Sequence, residues 1–551
     1  MNTNSQKLWK WMAIPVFLGG ICQLISFAAG KYILSKAAGG QMLGRLLILG
    51  SFICFFPWLL GICLRQRKQM NIIDYTGFTA LIAGMIFIGI WFLKSAWTSF
   101  ELWNSMALIL TVWGYLVFGT ITLKAEKFPF LSTALWMTGG MMACAGLAYQ
   151  WPGRFIFSGI GMIWCGLYFW KDCRHEDPAQ IANKKEPAGH RFISLDLLRG
   201  LIIMIMSIDH ARSMILKSHP FEWWNSAVPQ YGTDTAGFLT RGVTHLCAPG
   251  FFLLMGAGMI LFAHSRKKLG WSNGKVMHQL ALRGGLIVLF EILIFDPIIF
   301  GQPSFSKFGV LFGLGGSMIA GVLFIRLNMV TLLMTGSLGV LITQILPPFV
   351  LENSGLNHPV AYLLLVPQFL SNWLVLYPVF PWLSITLLGM GLGKALLDYP
   401  DKVMGWVLST GVVFLVLFVA VRWIGEFGNF QAAQNDSWIA FFNVVKYPPS
   451  LVFTLLTLGV NCLLLCLFDR LKKINGAWKD IFVVFGQTAL YFYFAHWFLY
   501  SAIGSIFNLV PANRGVMYLC WALGLILLYP VCKNYQQFKG NRSINSMWRM
   551  V

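Results

Sequence analysis

Apolar residues run along most of this chain in stretches of about twenty, separated by short polar interruptions. Twenty residues at 1.5 Å each cover roughly 30 Å, the thickness of a bilayer's hydrocarbon core, so each stretch predicts a transmembrane α-helix. The runs are continuous, whereas an outer-membrane barrel would alternate polar and apolar positions in segments of about ten. Six spans are predicted before residue 171, near 12–30, 43–63, 75–94, 103–123, 130–149 and 154–170. Ten follow, near 193–217, 239–263, 279–299, 307–325, 329–349, 376–397, 403–424, 449–468, 481–506 and 515–532. The expected fold is an all-α polytopic transmembrane bundle of about 16 spans.

The longest polar stretch, KDCRHEDPAQIANKKEPAGH at 171–190, divides the pattern. It predicts a cytoplasmic linker between a six-span accessory block, 1–170, and a ten-span domain with a basic tail, 191–551. Of the 551 residues, 57% are hydrophobic and 11% charged. Soluble domains carry about 25% charged residues, so a water-soluble enzyme is excluded. A net charge of +21 would suggest nucleic acid in a soluble protein. Here the cations fall in alternate loops, among them Lys7, Lys10, Arg65, Lys124, Lys171, Arg266, Lys267, Lys268, Arg326, Lys402 and Arg470. The positive-inside rule then places both termini in the cytoplasm and the loops 218–238, 350–375 and 425–447 outside. The expected partner is the lipid bilayer of a bacterial inner membrane, with no nucleic acid; a homo-oligomer is compatible with the pattern. Lys7 and Lys10 before the first apolar run resemble a signal peptide, but the run is span-length and is read as a retained helix. Eleven cysteines form no CxxC pair and lie mostly inside apolar runs, as Cys22, Cys54, Cys144, Cys165 and Cys247 do. They read as buried small hydrophobes, with no metal expected. Cys462 and Cys466 share a helix face without nearby His or Asp, a poor metal site. No internal repeat signals an inverted-repeat transporter.

Charged groups within spans are costly and mark sites or helix pairs. The seventh span, RFISLDLLRGLIIMIMSIDHARSMILKSH, carries Asp196 and Arg199 one turn apart at its start, read as an ion pair or a cofactor contact. Farther along come Asp209, His210 and Arg212. Asp209 and Arg212 can pair at i,i+3, whereas His210 points about 100° away from Asp209 and needs a partner from another helix. In the eighth span Arg241 and His245 share a face at the same depth, and Pro249 loosens the helix below them. Gln487 and His496 lie buried in the aromatic helix FGQTALYFYFAHWFLY.

The segments SLDLLRG, DHAR and TRGVTHLCAPGFFLLMGAG resemble the bacterial relatives of heparan-α-glucosaminide N-acetyltransferase, a transmembrane acyltransferase family. The later YPVFPWLSITLLGMGLG, VKYPPSL and GQTALYFYFAHW fit the same order, so the resemblance covers about 190–532. It implies a membrane enzyme that takes an acyl group, typically acetyl, from cytoplasmic acyl-CoA. The acceptor would be a sugar amine or hydroxyl, a saccharide or glycan on the opposite side. The family's catalytic group is a histidine near the non-cytoplasmic mouth. Where the animal enzymes carry Asn, this chain aligns His210, and their catalytic histidine falls near His219.

Acyl transfer from a thioester needs a base on the acceptor, and histidine suits that near neutral pH. His210 is the preferred base and His245 the next candidate, with Asp209, Arg241 and Arg212 beside them. Arg241 or Arg212 would stabilise the carbonyl oxygen. His219, His496 and Gln487 are candidate acceptor contacts. CoA phosphates would meet Arg199, Arg266, Lys267 and Lys268, with Asp196 adjacent. A transporter or flippase for a polar or lipid-linked solute, using buried His and Asp for proton coupling, is the alternative; an inert membrane partner is a third.

Overall fold

The computed structural model describes residues 70–94, 101–125, 192–296 and 306–540 apart from 227, 354, 371, 475 and 508–510, with a few isolated positions earlier in the chain. The linker at 171–190, most of the predicted spans at 12–30, 43–63, 130–149 and 154–170, and the tail beyond 540 lie outside the described residues. Helices α1 (Ile72–Lys94) and α2 (Glu101–Ala125) belong to the first block. The second opens with α3 (Ile193–Ile215), α4 (Thr235–His245), α5 (Cys247–Lys268) and α6 (Asn273–Phe290), the last continuing into a π turn, Glu291–Phe295. After β1 (Ser306–Phe308) come α7 (Val310–Gly321), α8 (Met329–Thr343), α9 (Leu346–Glu352) and α10 (Pro359–Leu364). Strands β2 (Gln368–Phe369) and β3 (Trp373–Val375) precede α11 (Val379–Asp398), α12 (Val403–Ile424) and α13 (Trp438–Phe442). The described chain closes with α14 (Leu451–Leu471), α15 (Ala477–Gln487), α16 (Ala489–Ile506) and α17 (Arg514–Gly540).

Among the described residues seven helices are long and apolar enough to cross a membrane, or nine if each bent pair is one span. The figure of about 16 spans is thus not supported, and several predicted spans are broken. The eighth divides at Leu246 into α4 and α5, three residues before Pro249. Proline lacks an N–H and crowds the carbonyl one turn back, so the break falls where that carbonyl is released. The span at 481–506 turns by 89° between α15 and α16, and the one at 329–349 by 53° between α8 and α9. A second departure from an all-α fold is a three-stranded sheet in which β3 pairs parallel with β1 and antiparallel with β2. Strands of two or three residues carry too little periodicity to be read from sequence.

Glycines set the tightest helix contacts. A Cβ on Gly256 of α5 would collide with the Thr386 carbonyl of α11, and one on Gly389 with the Leu253 carbonyl. The same reciprocal approach joins α3 to α15, where Gly200 faces the Phe482 carbonyl and Gly486 the Asp196 carbonyl. Small residues let apolar helices approach closely where lipid gives no hydrophobic drive to associate. The first block docks on the second through polar contacts: Thr120 bonds the Tyr491 hydroxyl at 2.5 Å and Asn534 donates to Asp74 at 3.3 Å.

At one end of the bundle the loop after α3 interlocks with the loop after α12. Arg422, 3% exposed, donates to the carbonyls of Gln431, Ala440, Phe441 and Asn443 and to the Asn429 side chain, all within 3.0 Å. Asn443 reaches across to the Pro229 carbonyl at 2.9 Å and Gln431 to that of Trp223 at 3.0 Å. The backbone N–H groups of Lys446 and Tyr447 both donate to the Glu222 carbonyl, at 3.2 and 3.1 Å. Ser450 then caps α14 by accepting from the Phe453 N–H at 3.1 Å.

Candidate active site

Fourteen residues of α3 separate Asp196 from His210, about 20 Å of helix axis, and a cavity opens at each end. The larger, about 550 Å³, is lined by Asp196, Arg199, Arg266, Arg283, Gln487 and Lys539 among others. The smaller, about 80 Å³, is lined by Asp209, His210, His219, Lys307, Lys446 and Tyr447 among others. Both count Met206, Phe251, Val310 and Tyr493 among their walls, so the two spaces abut inside the bundle.

His210 finds its partner on another helix, as the geometry of α3 requires. Its Nδ1 lies 2.6 Å from His496 Nε2 of α16. The rings tilt by only 10° with centroids 4.9 Å apart, which leaves them nearly coplanar and edge to edge. His496 Nδ1 sits 2.8 Å from the Phe492 carbonyl, an obligate acceptor, and so carries its proton there. Neutral His496 therefore presents an Nε2 lone pair, and His210 must donate to it from Nδ1. The basic lone pair of neutral His210 is then its Nε2. Trp497 and Tyr493 pack against the His210 ring, at centroid distances of 4.3 and 5.8 Å.

Behind the small cavity lies a buried ionic frame. Arg241, 1% exposed, donates from Nε and Nη2 to the two Glu222 oxygens at 2.8 and 2.7 Å, and from Nη1 to Asp209. Thr244 donates to the other Asp209 oxygen at 3.1 Å. Asp209 thus pairs across to α4 and not with Arg212 on its own helix, because a guanidinium held by two carboxylates outcompetes an i,i+3 contact. Burial by itself would raise the Glu222 carboxyl, but the Arg241 guanidinium outweighs it and holds the group at about 2. His219 lies in the same loop, its Nε2 3.8 Å from Asp209. Burial, reinforced by the positive charge of Arg241, pushes its imidazole down to about 3 against the pull of Asp209, so the ring stays neutral near pH 7.

The structure sorts the expected residues into these settings. Asp209, His210 and His219 line the small cavity, while His496 supports His210 from behind. Arg241, His245 and Arg212 are not among its lining residues. His245 instead lies 4.0 Å from Glu222 and edge-on to Phe453, and Arg241 has its fork filled by carboxylates. The convergence of His210, His245 and Arg241 on one mouth is corrected accordingly: the residue that joins His210 there is His219. Asp196, Arg199 and Arg266 line the large cavity, whereas Lys267 and Lys268 are exposed beyond it at the end of α5. Gln487 is also found at that end, donating to Asp196 at 3.3 Å and accepting from Gln536 at 2.6 Å. Among the described residues it shares no hydrogen-bond partner with His496, which lies beyond the bend on α16.

Several lining residues escaped the sequence reading. Glu291 and Asp296, in the apolar segment FEILIFDP, are 2% and 1% exposed and line the small cavity beside Lys307. Carboxylates in an apolar run were a usable signal. Glu222 carried none, since a single loop carboxylate ordinarily faces water. Arg283, the one cation in LALRGG, is the counterpart signal for the large cavity. Among the described residues no group of His, Cys, Asp and Glu is arranged to hold a metal ion.

Apolar helices long enough to span a membrane, packed around a buried polar site with a cation-lined cavity behind it, define an integral membrane protein with a small polar chamber. Residues 191–426 match the family model described as heparan-alpha-glucosaminide N-acetyltransferase, catalytic, and over this segment the chain is similar to that catalytic domain. The match ends before Lys446 and Tyr447, which the fold brings back to the same chamber, and before His496, which backs His210. No curated protein matches the chain.

Proposed function

We propose that the protein moves an acyl group, typically acetyl, from cytoplasmic acyl-CoA to a sugar amine or hydroxyl of a glycan on the outer side of a bacterial inner membrane. The observation that carries this reading is the pair of abutting cavities, one lined with Arg199, Arg266 and Arg283 and the other with His210 and His219. Guanidinium groups suit the phosphates of CoA. The axial distance of about 20 Å between the two ends of α3 is on the scale of an extended pantetheine arm. The thioester would then lie in the small cavity beside His210 Nε2, and acceptor would enter through the loop end. His210 is the base, taking the acceptor's proton as its nitrogen or oxygen attacks. The outward placement of that end follows the positive-inside count and has both termini in the cytoplasm. His219, close to the family's histidine in sequence and lining the same cavity, is the competing base.

Purified protein incubated with labelled acetyl-CoA and a panel of bacterial glycans tests the proposal. Transfer of label to an amine or hydroxyl is expected, and movement of acceptor without CoA would favour a transporter. His210→Ala should keep a folded, CoA-binding protein whose transfer step falls by about 10² or more, the scale of general-base loss. His219→Ala should cost much less; normal transfer by His210→Ala with a dead His219→Ala reverses the assignment.

A further inference from the structure

The proposed chemistry leaves one role unfilled. As a nucleophile adds to a thioester, charge develops on the carbonyl oxygen and needs a hydrogen-bond donor aimed at it. Arg241 is 1% exposed, does not line the chamber and spends one N–H of each nitrogen on Glu222 and Asp209. Arg212 does not line the chamber. Lys307 stands in the wall beside Glu291 and Asp296, and its charge acts on both carboxyl groups.

Lys446 is placed differently. It is 5% exposed and lines the small cavity with His210. Among the described residues no carboxylate comes within ion-pair distance of its ammonium, and its near neighbour is the Tyr447 ring, 5.1 Å away. Its backbone is pinned on both sides: Lys446 and Tyr447 donate to the Glu222 carbonyl, and Trp224 donates to the Tyr447 carbonyl at 3.0 Å. A strongly hydrated ammonium is costly to bury without a partner. A fixed segment that holds one toward a cavity is therefore arranged for something that enters that cavity.

We propose that Lys446 is the electrophilic donor of the chamber, its ammonium hydrogen-bonding the thioester carbonyl oxygen as the acceptor attacks. This rests on the acyl-transfer reading above. The acceptor's lone pair forms a bond to the carbonyl carbon, and the C=O π pair moves onto the oxygen held by Lys446. His210 Nε2 takes the acceptor's proton. The oxygen's pair then returns, the C–S bond breaks, and the departing CoA thiolate receives the proton from His210. The products are the acylated acceptor and free CoA thiol, with no other reactant consumed.

The test compares wild type, Lys446→Met, Lys446→Gln and His210→Ala in acetyl transfer and in thermal unfolding of the full chain. At nearly constant volume, methionine removes an ammonium that has no ion pair in contact among the described residues, so the unfolding midpoint of Lys446→Met should change little while kcat falls by 10² or more. KM for acetyl-CoA and for acceptor should change little. Lys446→Gln, with a neutral donor, should recover part of the rate and serves as the second variant if Lys446→Met folds poorly. A fall in stability that matches the fall in activity would make Lys446 structural and overturn the proposal. A raised acceptor KM with unchanged kcat would make it an anchor for an anionic acceptor, also overturning it. If wild type transfers acetyl and both Lys446 variants equal it, the donor assignment fails while the acyl-transfer reading stands. A wild type that transfers nothing from acetyl-CoA, by contrast, removes both.

Discussion

Glu222→Gln isolates the worth of the ionic frame behind the chamber. The carboxylate is fully buried and sits in a loop between two helices, bidentate on Arg241. Its carboxyl is held at about 2, against an ordinary 4.5. At 1.36 kcal/mol per pH unit this is about 3 kcal/mol of stability near neutral pH, at the lower edge of the ~3–5 kcal/mol measured for breaking buried pairs. Because the folded value is depressed, the contribution is complete above about 4.5 and is lost as pH falls toward 2. Unfolding of wild type and Glu222→Gln in detergent micelles, followed by tryptophan fluorescence, should show the variant several degrees lower near neutral pH. The gap should narrow steadily as pH drops from about 4.5 toward about 3. Equal midpoints near neutral pH, or a gap independent of pH, would show that the Arg241–Glu222 pair does not carry this stability. Acyl transfer per folded molecule should change far less than for His210→Ala, since Glu222 lies outside the chamber's lining.

Two further outcomes follow from the geometry. His496→Leu removes the acceptor that fixes the proton of His210 on Nδ1. One hydrogen bond's bias of about 1–1.5 kcal/mol gives a roughly tenfold lower kcat with KM for acetyl-CoA unchanged, and His496→Gln, which keeps an acceptor in reach, should retain most of the rate. Gly200→Ala drives a methyl into the Phe482 carbonyl; a cost of about 1–3 kcal/mol should appear as a lower unfolding midpoint, and an unchanged midpoint would show that α3 and α15 separate freely.

The parts of the fold carried by periodicity were legible in the sequence, and those carried by breaks were not. Long apolar helices such as α11, α12 and α14 fall close to their predicted spans, because composition and length alone specify them. Pro249 pointed to a loosened helix near Leu246, whereas the turn at Thr488 has no proline at its corner, and Gly486 just before it reads as an ordinary packing glycine. Grouping Gln487 with His496 as acceptor contacts overlooks helix geometry, since nine residues of helix already put the two on opposite faces about 13.5 Å apart. Helical geometry correctly demanded an external partner for His210, yet the same reasoning favoured Arg212 for Asp209. Local spacing lists which pairs are possible; only the tertiary fold decides between a neighbour on the helix and Arg241 across from it. His210, Lys307 and Lys446 line one cavity from segments far apart in the chain, and no pattern within any one of them announces the meeting.

The wall common to the two cavities has an electrical consequence. Met206, Phe251 and Val310 offer no hydrogen-bond partner to water, and Tyr493 offers a single hydroxyl in an aromatic setting. A catalyst fed from opposite faces of a membrane is in danger of becoming a leak, because a continuous file of water and titratable groups conducts protons. Apolar side chains where the two cavities meet disfavour such a file when no substrate arm lies between them. On the proposed reading, an acyl group would then cross between two compartments while the voltage between them is kept.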